Sequence, residues 1–192
     1  VSPYGLSKLA AEREAIAYKD RFPLGILRLA AAYGPRDEDF LQFFRLIRKG
    51  ILPAYGRGPK AISLCHVSEA VRAMLLAAGA GVPSGEVINV ANAGPSTWEE
   101  VGKTAARILG RKVVRVRIPG WAAFLLCAAS EGAGRLRGKA TALNLGKYQD
   151  MRPESWVADV GKARDLLGSE SRIPLEEGLK ETLDWYLRKG LV

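Results

Sequence analysis

A tyrosine and a lysine stand four residues apart near the start of the chain, in "SPYGLSKLAAE". At that spacing Tyr4 and Lys8 share one face of a helix. A free phenol, with a pKa near ~10, is a poor base at neutral pH. A cation held beside it favours the phenolate and lowers that value. Such a pair can pass a proton to or from a substrate hydroxyl or carbonyl. Hydride transfer needs that partner, because an alcohol loses its proton as it loses hydride. The spacing alone arises often by chance, and the plain alternative is two exposed helix residues.

Other reactive side chains point less far. His66 is the sole histidine, and Cys65 and Cys127 have no metal-ligand spacing, so no metal site is expected. Two buried free thiols fit a reducing cytoplasm. "RDED" (36–39) could read a substrate; we read Asp37, Glu38 and Asp39 as a solvated turn in which Asp39 caps the next helix, and give Arg36 the substrate role. Trp98, Trp156 and Trp185 are expected in the core, whereas Trp121 is evenly balanced between core and ligand pocket.

The elements that must position these residues alternate. Residues 4 to about 20 read as a helix with an apolar face through Leu6, Leu9, Ala10, Ile16 and Ala17, begun by Ser2-Pro3. Strands are expected at 24–30, in "KAISLCHV", at 86–90 and in "KVVRVRIP"; helices in "DFLQFFRLIRKG", in "SEAVRAMLLAAGAG" with Ser68 as N-cap, and in "WEEVGKTAARILG" with a Thr97/Glu100 capping box. "VADVGKARDLLG" and "PLEEGLKETLDWYLRKG" are further helices. This alternation is that of an α/β chain with at least partly parallel pairing.

Bulk properties exclude several classes. With 192 residues, 48% of them hydrophobic, the chain can build a sizeable core. Its most apolar stretch, "IPGWAAFLLCAASEGAG", is too short and interrupted to span a bilayer. It is expected as a buried helix rather than a membrane-contacting patch or a hydrophobic substrate wall, and no membrane partner is expected. The net charge of +9 is scattered, without a basic block interleaved with aromatics, so no specific nucleic-acid partner is expected either.

Taken together, the segments resemble the extended short-chain dehydrogenase/reductases, the family of NAD-dependent epimerases, dehydratases and reductases. "SPYGLSKLAAE" resembles the family's catalytic helix, and "LGILRLAAAYGPRDEDF" its Arg-Pro-x-x-x-Tyr-Gly-Pro strand and loop. "LPAYGRGPKAISLCHVSEAV", "GEVINVANAGPSTWEEV" and the C-terminal "WVADVGKARDLLG…IPLEEGLKETLDWYLRKG" follow in the family's order. The tail looks most like the 3β-hydroxysteroid dehydrogenase-like branch. Leu29 stands at a position where proline is usual, and Ser68-Glu69 where two aspartates are common. "AISLC" replaces the Arg-Asp pair of many nucleotide-sugar enzymes, which weakens that substrate assignment.

The resemblance implies roles. Tyr4 is the general acid/base, and Lys8 tunes it and binds the nicotinamide ribose of NAD or NADP. Leu29, Ala30, Ala31 and Ala32 lie beside the nicotinamide. Tyr33, Arg36 and Trp121 contact a small-molecule substrate. Residues 1–92 form the dinucleotide-binding part, with a substrate-loop excursion at about 33–62, and 93–192 the substrate lobe and C-terminal helices. A homodimer is plausible by family analogy.

The family's glycine-rich turn after a first strand, which meets the pyrophosphate at a helix N-terminus, has no counterpart; the Gly-x-Gly of "GRGPKA" does not follow a strand and open a helix. The expectation is therefore a C-terminal portion of a Rossmann-like doubly wound parallel sheet plus a smaller mainly helical lobe. On that reading the chain binds NAD(P) weakly or not at all and is inactive without its full-length parent, and a missing N-terminal half or another chain completes its sheet. A different class stays open: a non-catalytic dinucleotide-binding or sensor protein that keeps Tyr4 and Lys8 as structure.

Overall fold

The computed structural model describes residues 2–55, 58–138, 141, 144–151, 153 and 155–192. The first two residues of "GRGPKA" and part of the stretch after Gly138 thus lie outside the described residues. Helix α1 (Pro3–Ile16) leads to strands β1 (Gly25–Leu29) and β2 (Ala31–Tyr33), then α2 (Asp39–Arg48), β3 (Ile51–Tyr55), β4 (Ala61–Ile62) and β5 (Leu64–His66). Next come α3 (Val67–Gly79), β6 (Glu86–Val90), β7 (Ser96–Thr97), α4 (Trp98–Ile108) and β8 (Val114–Ile118). Helices α5 (Gly120–Leu136) and α6 (Leu145–Met151), strand β9 (Ser155–Trp156), and helices α7 (Gly161–Leu167) and α8 (Leu175–Arg188) close the chain.

Pairing is mixed and divided among small ladders. β1 runs parallel to β6, from Gly25 opposite Glu86 to Leu29 opposite Val90. β2 runs parallel to β5 and β3 to β8. β4 lies between antiparallel β7 and parallel β9. Two expectations are corrected here. The described strands form these ladders rather than part of one doubly wound parallel sheet. And segments 24–30 and 86–90, expected to await a missing half or another chain, pair with each other. Helix α3 lies between β1 and β6 in sequence, and a crossover of that kind is what a parallel pair needs.

The main core joins residues on both sides of position 92. α2 contributes Phe40, Leu41, Phe44 and Ile47 at helical spacing; α4 adds Val101 and Ala105; α8 adds Leu179, Leu183 and Tyr186. Phe40 stacks on Trp98 with ring centroids 5.4 Å apart. Trp185 also packs against this core, but Trp156, expected inside, is exposed. Its indole Nε1 donates to the Asp150 carbonyl, which holds it at the surface.

Close packing at one glycine lets α8 approach β2. A Cβ on Gly178 would overlap the Tyr33 hydroxyl and crowd the His66 ring. Gly178→Ala is expected to cost about 1–3 kcal/mol through this overpacking, seen as a lower urea midpoint with an unchanged slope. A midpoint equal to that of the parent chain would mean that α8 shifts freely.

Two helix starts differ from expectation. Ser68 is not the N-cap of α3; His66 is, its Nδ1 accepting from the Ser68 amide at 3.4 Å. Asp39 does not cap α2; the Asp37 carboxylate accepts from the amides of Asp39 and Phe40 at 2.9 and 3.0 Å. Helix α1 starts at Ser2-Pro3 as expected, with Ser2 Oγ accepting from the Gly5 amide, but it has no buried residue. The Thr97/Glu100 capping box of α4 is present. Helix α5, expected buried, has only Ala123, Cys127 and Gly134 buried among its described residues.

Candidate functional site

Since α1 buries no apolar face, polar contacts hold it. Glu12 forms a bidentate ion pair with Arg28 of β1, the shortest contact being 2.6 Å. The helix C-terminal turn is tied by Ser84 Oγ, which donates to the Lys19 carbonyl at 2.5 Å and accepts from the Leu24 amide. Tyr4, Lys8 and Glu12 succeed one another at i, i+4 and i+8, on adjoining rows of the helix. The Glu12–Arg28 pair ties this side of α1 to β1, with Lys8 one turn and Tyr4 two turns before the tie. Lys8 Nζ sits 5.4 Å from the Tyr4 ring centroid, a cation–π contact. The Tyr4 ring is 68% exposed.

This anchoring makes α1 sensitive to acid. The Arg28 guanidinium holds the Glu12 carboxyl below the ordinary value of 4.5. The stabilisation is thus fully present above that value and is lost as pH falls through the depressed folded value. Arg28→Ala at neutral pH should mimic the loss. Amide exchange in α1 should rise about fivefold, the ratio produced by the ~1 kcal/mol of an exposed ion pair, while α4 keeps its protection. Equal exchange in both proteins would show that the pair does not hold the helix.

At the N-terminus of α1 a cleft of about 760 Å³ is lined by Ser2 and Tyr4 on one side and by Glu131 and Arg135 of α5 and Lys147 and Asp150 of α6 on the other. Glu131 pairs with Arg135 at 2.5 Å and accepts from the Leu145 amide at 2.9 Å, which joins α5 to α6 and holds the Glu131 carboxyl below its usual range. Sequence reasoning missed these four wall residues. The i, i+4 spacing of Glu131 and Arg135 was a usable signal for one wall; α6 lies in a stretch to which the sequence pattern assigns no element.

The other expected site residues are placed unequally. Leu29 is exposed at the carboxyl end of β1, where ligands bind in open α/β sheets; Ala32 is exposed in the middle of the three-residue β2. Ala30 and Ala31 are partly buried, and the Ala30 amide is taken up by the Val90 carbonyl at 2.9 Å. Arg36 is exposed and adopts φ 76°, an uncommon conformation for a residue with a side chain. Trp121 is 70% exposed on α5. Tyr33 departs from expectation: it is 1% exposed and belongs to the core rather than a pocket wall. Its hydroxyl accepts from Asn92 Nδ2 at 3.1 Å, and burial pushes its pKa up to about 12.

Around Tyr33 lies a buried polar hub that the sequence did not announce. Asn92 Oδ1 accepts from the His66 amide at 2.9 Å. The buried Glu69 pairs with Arg72 at 3.0 Å and accepts from the amides of Arg172 and Ile173. The Nδ1 bond of His66 places its proton on Nε2, which is buried without a hydrogen-bond partner and lies 3.7 Å from Glu181 Oε2. Cys65 is buried beside it, its thiol pushed up to about 11, which makes it inert. These groups tie the ends of β2, β5 and β6 to the segment before α8; their role is structural.

An exposed Tyr–Lys pair on one side of a helix invites comparison with known proteins. Residues 1–91 match the NAD dependent epimerase/dehydratase family. A ceramide reductase from Caulobacter vibrioides is 26% identical over 99% of this chain and 59% of its own length. The UDP-glucose 4-epimerase of Thermotoga maritima, solved with UDP-glucose, is 26% identical with a TM-score of 0.73, over 100% of this chain and 55% of that one. MoeE5, solved with UDP-glucose and NAD, is 27% identical with a TM-score of 0.71, over 100% of this chain and 57% of that one.

The chain spans about half the length of the curated relatives it matches. The epimerase/dehydratase likeness nevertheless runs along essentially all of this chain. The expectation of a C-terminal portion only, inactive by itself, is therefore corrected: the Rossmann-like mixed strands and the helical lobe together match the fold over 100% of the chain, and nothing in the match marks it as inactive.

Proposed function

We propose that this chain carries NAD(P)-dependent oxidoreductase or epimerase/dehydratase chemistry on a hydroxyl or carbonyl of a sugar nucleotide. The observation that carries it is the Tyr4–Lys8 pair, in contact and exposed on one side of α1, with Tyr4 lining the cleft against α5 and α6. UDP-glucose in two similar proteins supports the substrate class. This replaces the weaker view of a nucleotide sugar taken from "AISLC".

The residues present fit the nicotinamide end of the cofactor. An exposed phenol and an ammonium on one helix suit ribose hydroxyls and a reacting oxygen, and Leu29 offers an exposed position at a strand end. When bound, NAD(P) supplies the hydride acceptor and donor. In this chain, Lys8 would hold the ribose and Tyr4 would move a proton to or from the substrate oxygen. Arg36 and Trp121 are the exposed candidates for substrate contact. The division into a dinucleotide-binding part, 1–92, and a substrate lobe, 93–192, belongs to the same proposal. So does a cytoplasmic location, which the free buried thiols of Cys65 and Cys127 support.

The test is a fluorescence titration of the chain with NADH and with NADPH, followed by chromatography of UDP-glucose after incubation with NAD. Saturable binding and conversion support the proposal. Absence of binding by both dinucleotides would overturn it, including its departure from the expected weak binding.

A further inference from the structure

Helix α5 is apolar on the side that faces water. Trp121, Leu125, Ala129, Gly132 and Leu136 form a stripe along it, spaced by three or four residues, and all five are exposed. Trp121 is 70%, Leu125 56% and Leu136 91% exposed. From Gly120 to Ser130 the helix has no charged residue on any side. A contiguous apolar surface of this kind marks a place of contact.

The charge around the stripe says with what. Residues 111–138 hold six cations, Arg111, Lys112, Arg115, Arg117, Arg135 and Arg137, against one carboxylate, Glu131. All six are exposed. Arg117 precedes the helix, and Arg135 and Arg137 close it, so both ends of the apolar stripe carry positive charge. A second copy of this chain, with its own +9, would bring like charge to this surface. An anionic bilayer is complementary to both the apolar stripe and its basic ends.

We propose that α5 lies in the interface plane of an anionic membrane, with Trp121, Leu125 and Leu136 in the headgroup–acyl boundary and Arg117 and Arg137, at the two ends, on lipid phosphates. Among the described residues no helix is long and apolar enough to cross a membrane, so the helix rests on the bilayer rather than spanning it. Tryptophan at one end suits the headgroup level. Glu131, Gly134 and Arg135 of the same helix line the cleft that holds Tyr4, so the cleft and the docked stripe lie on different sides of α5. The proposal departs from the expectation of no membrane partner. That expectation treated α5 as buried; its exposure removes the ground for it.

The experiment is co-sedimentation with vesicles of phosphatidylglycerol and phosphatidylcholine in equal parts, beside pure phosphatidylcholine vesicles and a vesicle-free control. The expected result is pelleting with the anionic vesicles and little with the neutral ones, and at least a tenfold loss of bound fraction in Leu125→Glu. Trp121→Ala serves as the second variant if circular dichroism shows Leu125→Glu to be misfolded. Failure to pellet with anionic vesicles, equal pelleting with both compositions, or a folded variant that binds like the parent would overturn the proposal. So would a dimer that Leu125→Glu dissociates without any vesicle binding, which would assign the stripe to a second copy. None of these readouts depends on catalysis, so the outcome is independent of the proposed activity.

Discussion

Tyr4→Phe should lower turnover by about 10²–10⁴-fold, the usual worth of a positioned general acid/base, while NAD(P)H binds as before. The substitution removes one oxygen from an exposed ring. The ring itself, and hence its cation–π contact with Lys8 at 5.4 Å, is kept. Because α1 contributes no buried residue, the fold has little to lose at this position. Lys8→Ala is expected to behave differently, weakening dinucleotide binding as well as turnover, because the ammonium serves both the ribose and the phenol. The measurements are single-turnover rates and fluorescence titrations for the three proteins. A Tyr4→Phe chain that turns over normally would leave the pair as structure and favour the non-catalytic dinucleotide-binding alternative.

The second large effect falls on stability. Glu69→Ala should cost about 3 kcal/mol, at the low end for breaking a buried ion pair. For a chain of this size that is a fall in melting temperature of roughly 6–12 °C. The Glu69 carboxylate is buried on α3, pairs with Arg72 and receives the backbone amides of Arg172 and Ile173. Alanine leaves those two amides without their acceptor just before α8, and Arg72 without its counter-ion. Glu69→Gln retains one carbonyl oxygen, so its cost should lie between those of the parent and the alanine variant. The check is calorimetry of the three proteins at one pH. Equal melting temperatures would mean that the segment before α8 is held by core packing alone, through Leu179 and Leu183.

The two variants separate the kinds of evidence on which they rest. Tyr4 and Lys8 were readable because the chemistry depends on residue type and on a local spacing of four, which a helix converts directly into a shared side. The same locality made the Thr97/Glu100 box, the Ser2-Pro3 helix start and the segments 24–30 and 86–90 legible. Glu69 and Asn92 were not legible as partners. Their contacts lie far along the chain, and nothing in "HVSEAV" or "NVANAG" says that Arg172, Ile173 or Tyr33 will meet them.

Misreadings have the same origin. Leu6, Leu9 and Ile16 repeat at helical spacing, yet α1 buries none of them, because its ties are Glu12–Arg28 and Ser84 rather than a packed face. "WAAFLLCAA" was read as buried on hydrophobicity. Periodicity shows which residues share a side of a helix, but not whether a neighbour covers that side. Tyr33 looked like a loop residue open to substrate until α8, approaching through Gly178, closed over it.

By itself, then, the sequence determined what local chemistry can determine: a tyrosine and a lysine on one side of α1, most of the helices and several strands, the Ser2 and Thr97/Glu100 caps, and the family likeness. Tertiary structure alone decided which strands pair, that a carboxylate on α3 fastens the approach to α8, that Tyr33 is core, and that α5 turns an apolar stripe outward. Those outcomes depend on contacts between residues distant in the chain, whose free energies appear only when the elements are packed together.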